Sequence, residues 1–402
     1  MDFASFLCRI KKERLIEDQQ FCFVLGAGAS YSCGIPKASE LVDKWYDELL
    51  QESLQSEQWQ WRKILKDSKE KALDETINAL KTDESLFRQV LSPMTWENDG
   101  RFTLADLIRI KFTENESEKY SRLFSAVYPT PTMRRNYIKS FVQGAKPGQG
   151  HEALGQLLCK TNNNIVITTN FDTLVETAIH ESGHGKDLIT MKHCNDTTCS
   201  AFDAEGSLNP VFQQQRYNTA LVIKAHGDLD RAEQKNTIEE LRQLPDDFYK
   251  KLKSIFHNYK PIFIGYSGND SGLVDLLVRY ANEVQRKSDN CGCYWLIYGD
   301  DMSHPEDCLP ERARTYLRQV NGQCITHKGF ESSICEIADA LLSETGESMK
   351  PTQNIKEIPK DEISITERKE KTDFPIEDSG FRYEMMLRNA SIHRDTWDCT
   401  ID

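Results

Sequence analysis

Four short segments of this chain carry the residue types that reaction chemistry needs. They are Gly26-Ala-Gly-Ala-Ser30, Thr168-Thr-Asn-Phe-Asp172, Ala225-His-Gly-Asp228 and Gly265-Tyr-Ser-Gly-Asn-Asp270. The first offers small residues that let the backbone approach a diphosphate closely. The second offers an amide, Asn170, and a carboxylate, Asp172. Such a pair can hold a water or a hydroxyl and offset developing positive charge. The third offers His226, the side chain suited to general base work near neutral pH. The fourth offers Ser267, Asn269 and Asp270. Each residue type also has a plain structural use: glycine makes tight turns, and Ser, Asn and Asp cap helices. The first segment is an incomplete dinucleotide fingerprint, since Tyr31 stands at the third glycine position. Gly144-Ala-Lys-Pro-Gly-Gln-Gly150 lacks the Gly-Lys-Ser/Thr of a phosphate-binding P-loop.

Each segment follows a run that reads as a strand: Phe21–Leu25, Ile165–Thr169, Ala220–Ala225 and Pro261–Ile264. Further strands are predicted at Tyr294–Tyr298 and near Cys324–Thr326. Helical spacing marks His151–Lys160, Asp246–Asn258, Gly272–Val284 and Ile334–Leu342. Another helix starts at Thr173, with Glu176 at capping-box distance. The glycine-rich turn leads into a helix carrying Leu41, Trp45 and Leu49. Phe3, Phe6, Leu7 and Ile10 predict a short docking helix. Strands alternating with helices predict an α/β fold: a doubly wound, mostly parallel, Rossmann-like sheet. Ligands of such sheets bind outside the C-terminal ends of the strands, so the four segments predict one site.

The pattern divides the chain. Residues 1–36 and 151–345 read as the sheet domain. Residues 37–150 read as a large helical insertion. Its stripes are Trp59, Leu73, Ile77 and Leu80; Leu104, Leu107, Ile108 and Ile110; and Tyr137, Ile138, Phe141 and Val142. A polar loop is expected from the Thr173 helix to about residue 218. Residues 346–402 read as a charged C-terminal tail, too polar to bury much by itself. Ile355, Ile358, Ile363 and Ile365 suit a short strand there, as part of an assembly arm.

Bulk properties narrow the function classes. The 402 residues are 39% hydrophobic and 28% charged, with a net charge of −13. That balance argues against direct nucleic-acid binding over the whole surface. No apolar run has the length of a membrane span, and the first residues lack the apolar core of a secretory signal. The twelve cysteines are scattered without a CxxC pair, so reduced thiols and a cytoplasmic location are expected.

Taken together, the four segments and Gly34-Ile-Pro36 resemble the sirtuin family. Thr169-Asn170-Phe171-Asp172 resembles its Gln-Asn-Ile-Asp segment, His226-Gly227 its catalytic histidine and glycine, and Gly265-Tyr-Ser267 its Gly-Thr-Ser loop. The resemblance implies that His226, Asn170 and Asp172 are catalytic. It implies NAD⁺ binding by Gly26, Ala27, Gly28, Ser30, Ile35, Pro36, Thr169, Gly265, Tyr266, Ser267 and Asn269. There are two departures. Lys37-Ala38-Ser39 replaces the Asp-Phe-Arg of deacylases, and the paired-CxxC zinc module is absent. No zinc is therefore expected. The one alternative metal grouping, His180, His184, His193, Cys194 and Cys199, matches no zinc-module spacing.

The Thr-Thr-Asn-Phe-Asp and Gly-Tyr-Ser-x-x-Asp forms are more similar to divergent sirtuin-like domains of bacterial anti-phage defence proteins. That likeness implies an NAD⁺ glycohydrolase, with NAD⁺ as substrate rather than lasting cofactor. NAD⁺ depletion would act through abortive infection. A homo-oligomer is implied, and a hexameric translocase-type ATPase partner. Two other readings stay open: an NAD-dependent protein deacylase, and a catalytically silent scaffold subunit sensing NAD or ADP-ribose.

Overall fold

Alternation along the strands builds the molecule. In β1 (Gln20–Leu25), Phe21, Phe23 and Leu25 face one core while Cys22 and Val24 face another. The same period of two runs through β2 (Ile165–Thr168), β4 (Thr219–Lys224), β5 (Tyr259–Ile264) and β6 (Tyr294–Tyr298). A strand buried on both faces reads as a continuous apolar run, as these do. With β3 (Asp187–Met191) and β7 (Gln323–His327) they form a seven-stranded sheet, every pairing parallel, in the order β3-β4-β2-β1-β5-β6-β7. This computed structural model describes residues 1–56, 106–107, 110–111, 116–182, 187–196, 198–214, 219–229, 244–284, 292–300 and 302–342.

Helices cover both faces. On one lie α1 (Phe3–Glu17), α5 (Gln149–Lys160), α6 (Leu174–Glu181) and α11 (Phe330–Leu342). On the other lie α8 (Asp246–Asn258), α9 (Ser271–Val284) and α10 (Glu311–Gln319). The predicted docking helix is α1. It buries Phe6 and Ile10, and its Glu13 binds Lys260 Nζ at 3.0 Å and Tyr294 Oη at 2.7 Å. The fold is thus the expected α/β, Rossmann-like one.

A third core lies among α2 (Ala38–Ser56), α3 (Glu116–Val127) and α4 (Pro131–Val142). Its centre is aromatic: Trp45 stacks on Phe124 with ring centroids 4.5 Å apart, and Tyr120, Tyr128 and Tyr137 surround the pair. Such pairs add about 0.5–1.5 kcal/mol each beyond their burial. Leu107 and Ile110 of the predicted stripes are buried here. Trp59, Leu73, Ile77, Leu80, Leu104 and Ile108, and the tail isoleucines 355, 358, 363 and 365, lie outside the described residues.

Several expectations change. The polar stretch before residue 218 contains an edge strand, β3. Edge position leaves it half-exposed, so Asp-Leu-Ile-Thr-Met lacks the apolar run of its neighbours. A short helix, α7 (Pro210–Gln214), follows in the same stretch. α10 went unpredicted because its Glu-Arg-Ala-Arg-Thr-Tyr-Leu-Arg-Gln sequence turns only Ala313, Tyr316 and Leu317 inward. The Thr173–Glu176 capping box does not form. Asp172 Oδ1 accepts from the Leu174 backbone N–H at 3.1 Å instead, and Glu176 pairs with Lys224 at 3.1 Å.

Candidate active site

β1 is where the sheet's winding reverses. It pairs with β2 on one side and β5 on the other, so its C-terminal end opens on the crevice where such folds bind ligands. The glycine-rich turn after β1 leads, as its sequence predicts, into the helix carrying Leu41, Trp45 and Leu49. Within it the chain makes two 3₁₀ turns, Ala27–Ala29 and Tyr31–Cys33, before α2 begins at Ala38. This loop packs backbone to backbone on the loop after β5. Gly28 N–H donates to the Gly265 carbonyl at 2.9 Å. A Cβ at Gly26 would stand 2.6 Å from the Gly265 oxygen, and one at Gly28 would stand 2.8 Å from Gly265 Cα. Gly265 itself has φ +66°, the left-handed region that favours glycine. The glycines at 26, 28 and 265 therefore interlock two loops, a role that the diphosphate reading did not include.

The crevice holds a cavity of about 520 Å³. Every residue predicted for the site lines it, from Gly26 in the first loop to Asn269 in the last. The loop after β2 is braced against the loop after β1. Asn170 Nδ2 donates to the Gly26 carbonyl at 3.0 Å and to Ser30 Oγ at 2.9 Å. Ser30 Oγ in turn donates to Asp172 Oδ2 at 2.6 Å. Both amide hydrogens of Asn170 are thereby used, and its Oδ1 is what remains for a water or a hydroxyl. Asp172 reaches Asn170 only through Ser30.

His226 follows β4 and is held from across the crevice. Its Nε2 lies 2.7 Å from Asp270 Oδ2, and both side chains are 9% exposed. Asp270 Oδ1 accepts from the backbone of Gly272 at 3.0 Å and Leu273 at 3.4 Å, capping α9. The cap was legible from residue type. The reach to His226 was not, because nothing in the spacing of residues 226 and 270 shows it. Ser267 and Asn269 line the cavity as exposed residues. The Tyr266 ring is buried against Phe263 and Trp295. Its hydroxyl has no hydrogen-bond partner among the described residues. Burial, and then the charge of Asp270, pushes that hydroxyl well above the ordinary tyrosine range.

Two further features were missed. Lys224, fully buried at the end of β4, donates to the carbonyls of Phe171 and Asp172 and pairs with Glu176. It holds the Asn170–Asp172 loop from below. Burial raises the Glu176 carboxyl, with the Lys224 charge opposing. A lysine ending an apolar strand was the available signal. The second feature is an apolar wall of Leu41, Val42, Tyr120, Ile138, Phe141 and Val142, contributed by α2, α3 and α4.

The proposed alternative metal grouping does not assemble. Among the described residues, His180, His193, Cys194 and Cys199 form no cluster of ligand atoms, and His184 lies outside them. Cys33, His151 and Glu331 do come together, with ligand atoms within 4.8 Å of one another. The Glu331 carboxylate there accepts from Ser32 Oγ and from the Gly150 N–H at the start of α5, so the group clamps that helix end.

No helix among the described residues is long and apolar enough to cross a membrane. No curated protein matches the chain. The family model of the SIR2-like domain matches residues 164–325, from just before β2 into β7. That span holds Asn170, Asp172, His226 and the Gly265–Asp270 loop, and the match supports a sirtuin-like domain there and, in general terms, an NAD-related function.

Proposed function

We propose that the chain is an NAD⁺ glycohydrolase, splitting the nicotinamide–ribose bond to give nicotinamide and ADP-ribose. The observation that carries this reading is the meeting of Asn170, Asp172 and His226 at one cavity, beside the interlocked glycine loops at the sheet's switch point. The exposed Ser267 and Asn269 give a polar ligand further partners. The nicotinamide leaves with the electron pair of the broken C–N bond. Starting as a cationic pyridinium it departs neutral, so no general acid is needed. A water attacks the oxocarbenium-like ribose and gives its proton to His226. Asn170 Oδ1 holds that water, and Asp172, through Ser30, orients Asn170 and offsets positive charge. General base catalysis of this kind contributes roughly 10²–10⁴-fold.

The motif forms shared with anti-phage defence domains support a role in depleting cellular NAD⁺ during infection. By the same likeness, the working form is a homo-oligomer joined by a hexameric translocase-type ATPase.

The test is incubation of the full chain with NAD⁺ and chromatography of the products, alone, with an acetyl-lysine peptide, and with any ATPase encoded beside it. Nicotinamide and ADP-ribose should appear without peptide. Both should vanish in His226→Ala and Asn170→Ala, with NAD⁺ binding by His226→Ala retained in calorimetry. Release that depends on the peptide would replace the hydrolase with a deacylase. NAD⁺ binding without turnover in every condition would leave a sensing scaffold.

A further inference from the structure

We infer that Asp270 is the positioning residue of His226, fixing the ring's tautomer so that Nδ1 is its basic atom. The inference rests on the hydrolase reading for its kinetic consequence and on geometry alone for the tautomer. An ionised carboxylate can only accept a hydrogen bond. Asp270 Oδ2 stands 2.7 Å from His226 Nε2, so Nε2 carries the proton and the neutral ring's lone pair is on Nδ1. The carboxylate cannot rotate freely, because its other oxygen is committed to the backbone N–H groups of Gly272 and Leu273. The pair is shielded as well, each side chain 9% exposed, which strengthens a charge-assisted bond. During turnover the proton leaving the attacking water passes to Nδ1. The resulting imidazolium is held against the Asp270 charge until the proton returns to solvent.

The contact also joins two of the four segments. Asp270 ends the loop that begins at Gly265, and the loop's Ser267 and Asn269 line the cavity. One carboxylate thus caps α9, closes the substrate-facing loop and orients the base on the loop after β4, across the crevice.

Asp270→Asn separates these roles. The amide oxygen can still cap α9, which leaves the NH₂ group toward His226. An NH₂ donates, so Nε2 becomes the acceptor and the proton moves to Nδ1, removing the base. We expect kcat to fall by about 100-fold or more with the KM for NAD⁺ held, an effect of the size general base catalysis supplies. The thermal midpoint should stay near wild type, and Asp270→Glu, which restores a carboxylate, should recover part of kcat. The ¹⁵N shifts of His226 in full-length protein report the tautomer without any turnover. They should show Nε2–H in wild type and Nδ1–H in Asp270→Asn. Nδ1–H in wild type, or wild-type kcat in Asp270→Asn, overturns the inference. A wild-type chain that never cleaves NAD⁺ yet shows Nε2–H defeats the hydrolase reading and leaves the Asp270 assignment standing.

Discussion

The cavity has two walls of opposite character. One is the C-terminal edge of the sheet, where the loops at Gly26–Ser30, Thr169–Asp172, His226 and Gly265–Asp270 present their backbone and polar groups, with Leu296 and Ile297 of β6 beside them. The other is helical and apolar: Leu41 and Val42 from α2, Tyr120 from α3, and Ile138, Phe141 and Val142 from α4. The sheet wall is rigid because parallel strands fix where each loop starts, and because the loops are bonded to one another through Asn170, Ser30 and Asp172. The helical wall rests on its own aromatic core around Trp45. Reaction chemistry therefore belongs to the first wall. Fit to an apolar portion of the ligand, such as the departing ring, belongs to the second. Changes in the sheet wall should act all or none, and changes in the helical wall by degree.

The largest effect to expect is at the interlocked glycines. In Gly265→Ala the new Cβ would stand 2.8 Å from the Gly28 carbonyl carbon, on a backbone with φ +66°. Left-handed backbone alone costs a side-chain-bearing residue about 1–2 kcal/mol. The loops must part, and NAD⁺ binding should drop below detection in calorimetry, with circular dichroism showing the sheet retained. A folded Gly265→Ala protein that binds NAD⁺ as wild type does would remove the rigid sheet wall from the comparison.

The same contrast explains what could be read from sequence. The sheet wall was legible because a parallel strand buried on both faces is an apolar run, and because the residues after such a run belong to one edge. Phe21–Leu25 and Pro261–Ile264 sit within observed strands, and the segments after them line the cavity. The helical wall was not legible as part of the site. Ile138 and Phe141 show a helix stripe, but periodicity says which face is buried, not what it is buried against. Asp270 was half-read for a similar reason. Its local use as a cap follows from neighbours in sequence, whereas its second oxygen reaches His226, 44 positions away. Lys224 stands out in sequence only as a lysine ending an apolar strand, and its partners Phe171, Asp172 and Glu176 come from a different segment. β3 failed for the opposite reason: half-exposed at an edge, it carries too few apolar residues to stand out.

A graded effect is expected at Phe141. Truncation to Ala removes part of the apolar wall without touching the hydrogen-bonded loops. Full burial of a phenylalanine is worth about 1.5–3 kcal/mol, and Phe141 is half-buried before ligand binds. The KM for NAD⁺ should rise by roughly tenfold, since about 1.4 kcal/mol is one power of ten. Under the hydrolase reading kcat should change less. A kcat loss as large as that of His226→Ala would place reaction chemistry on the helical wall as well.

The smallest effect separates the walls by pH. Residues 37–142 contain no histidine, whereas the sheet side buries His151 and His327. Burial lowers the pKa of both imidazoles from the ordinary 6.5; around His151 the charges of Asp172 and Glu331 oppose the shift, and for His327 a backbone hydrogen bond with Gly329 does. A lowered folded-state value means that the unfolded chain binds protons first. The stability gained from keeping these rings neutral is therefore fully present above pH 6.5. It is lost as pH falls from there through the folded-state values. The thermal midpoint should decline over that window, and His151→Asn should show a shallower decline than wild type. Phe141→Ala, altered only in the helical wall, should keep the wild-type slope. An unchanged slope in His151→Asn would assign the acid sensitivity to other groups and detach it from the sheet side of the site.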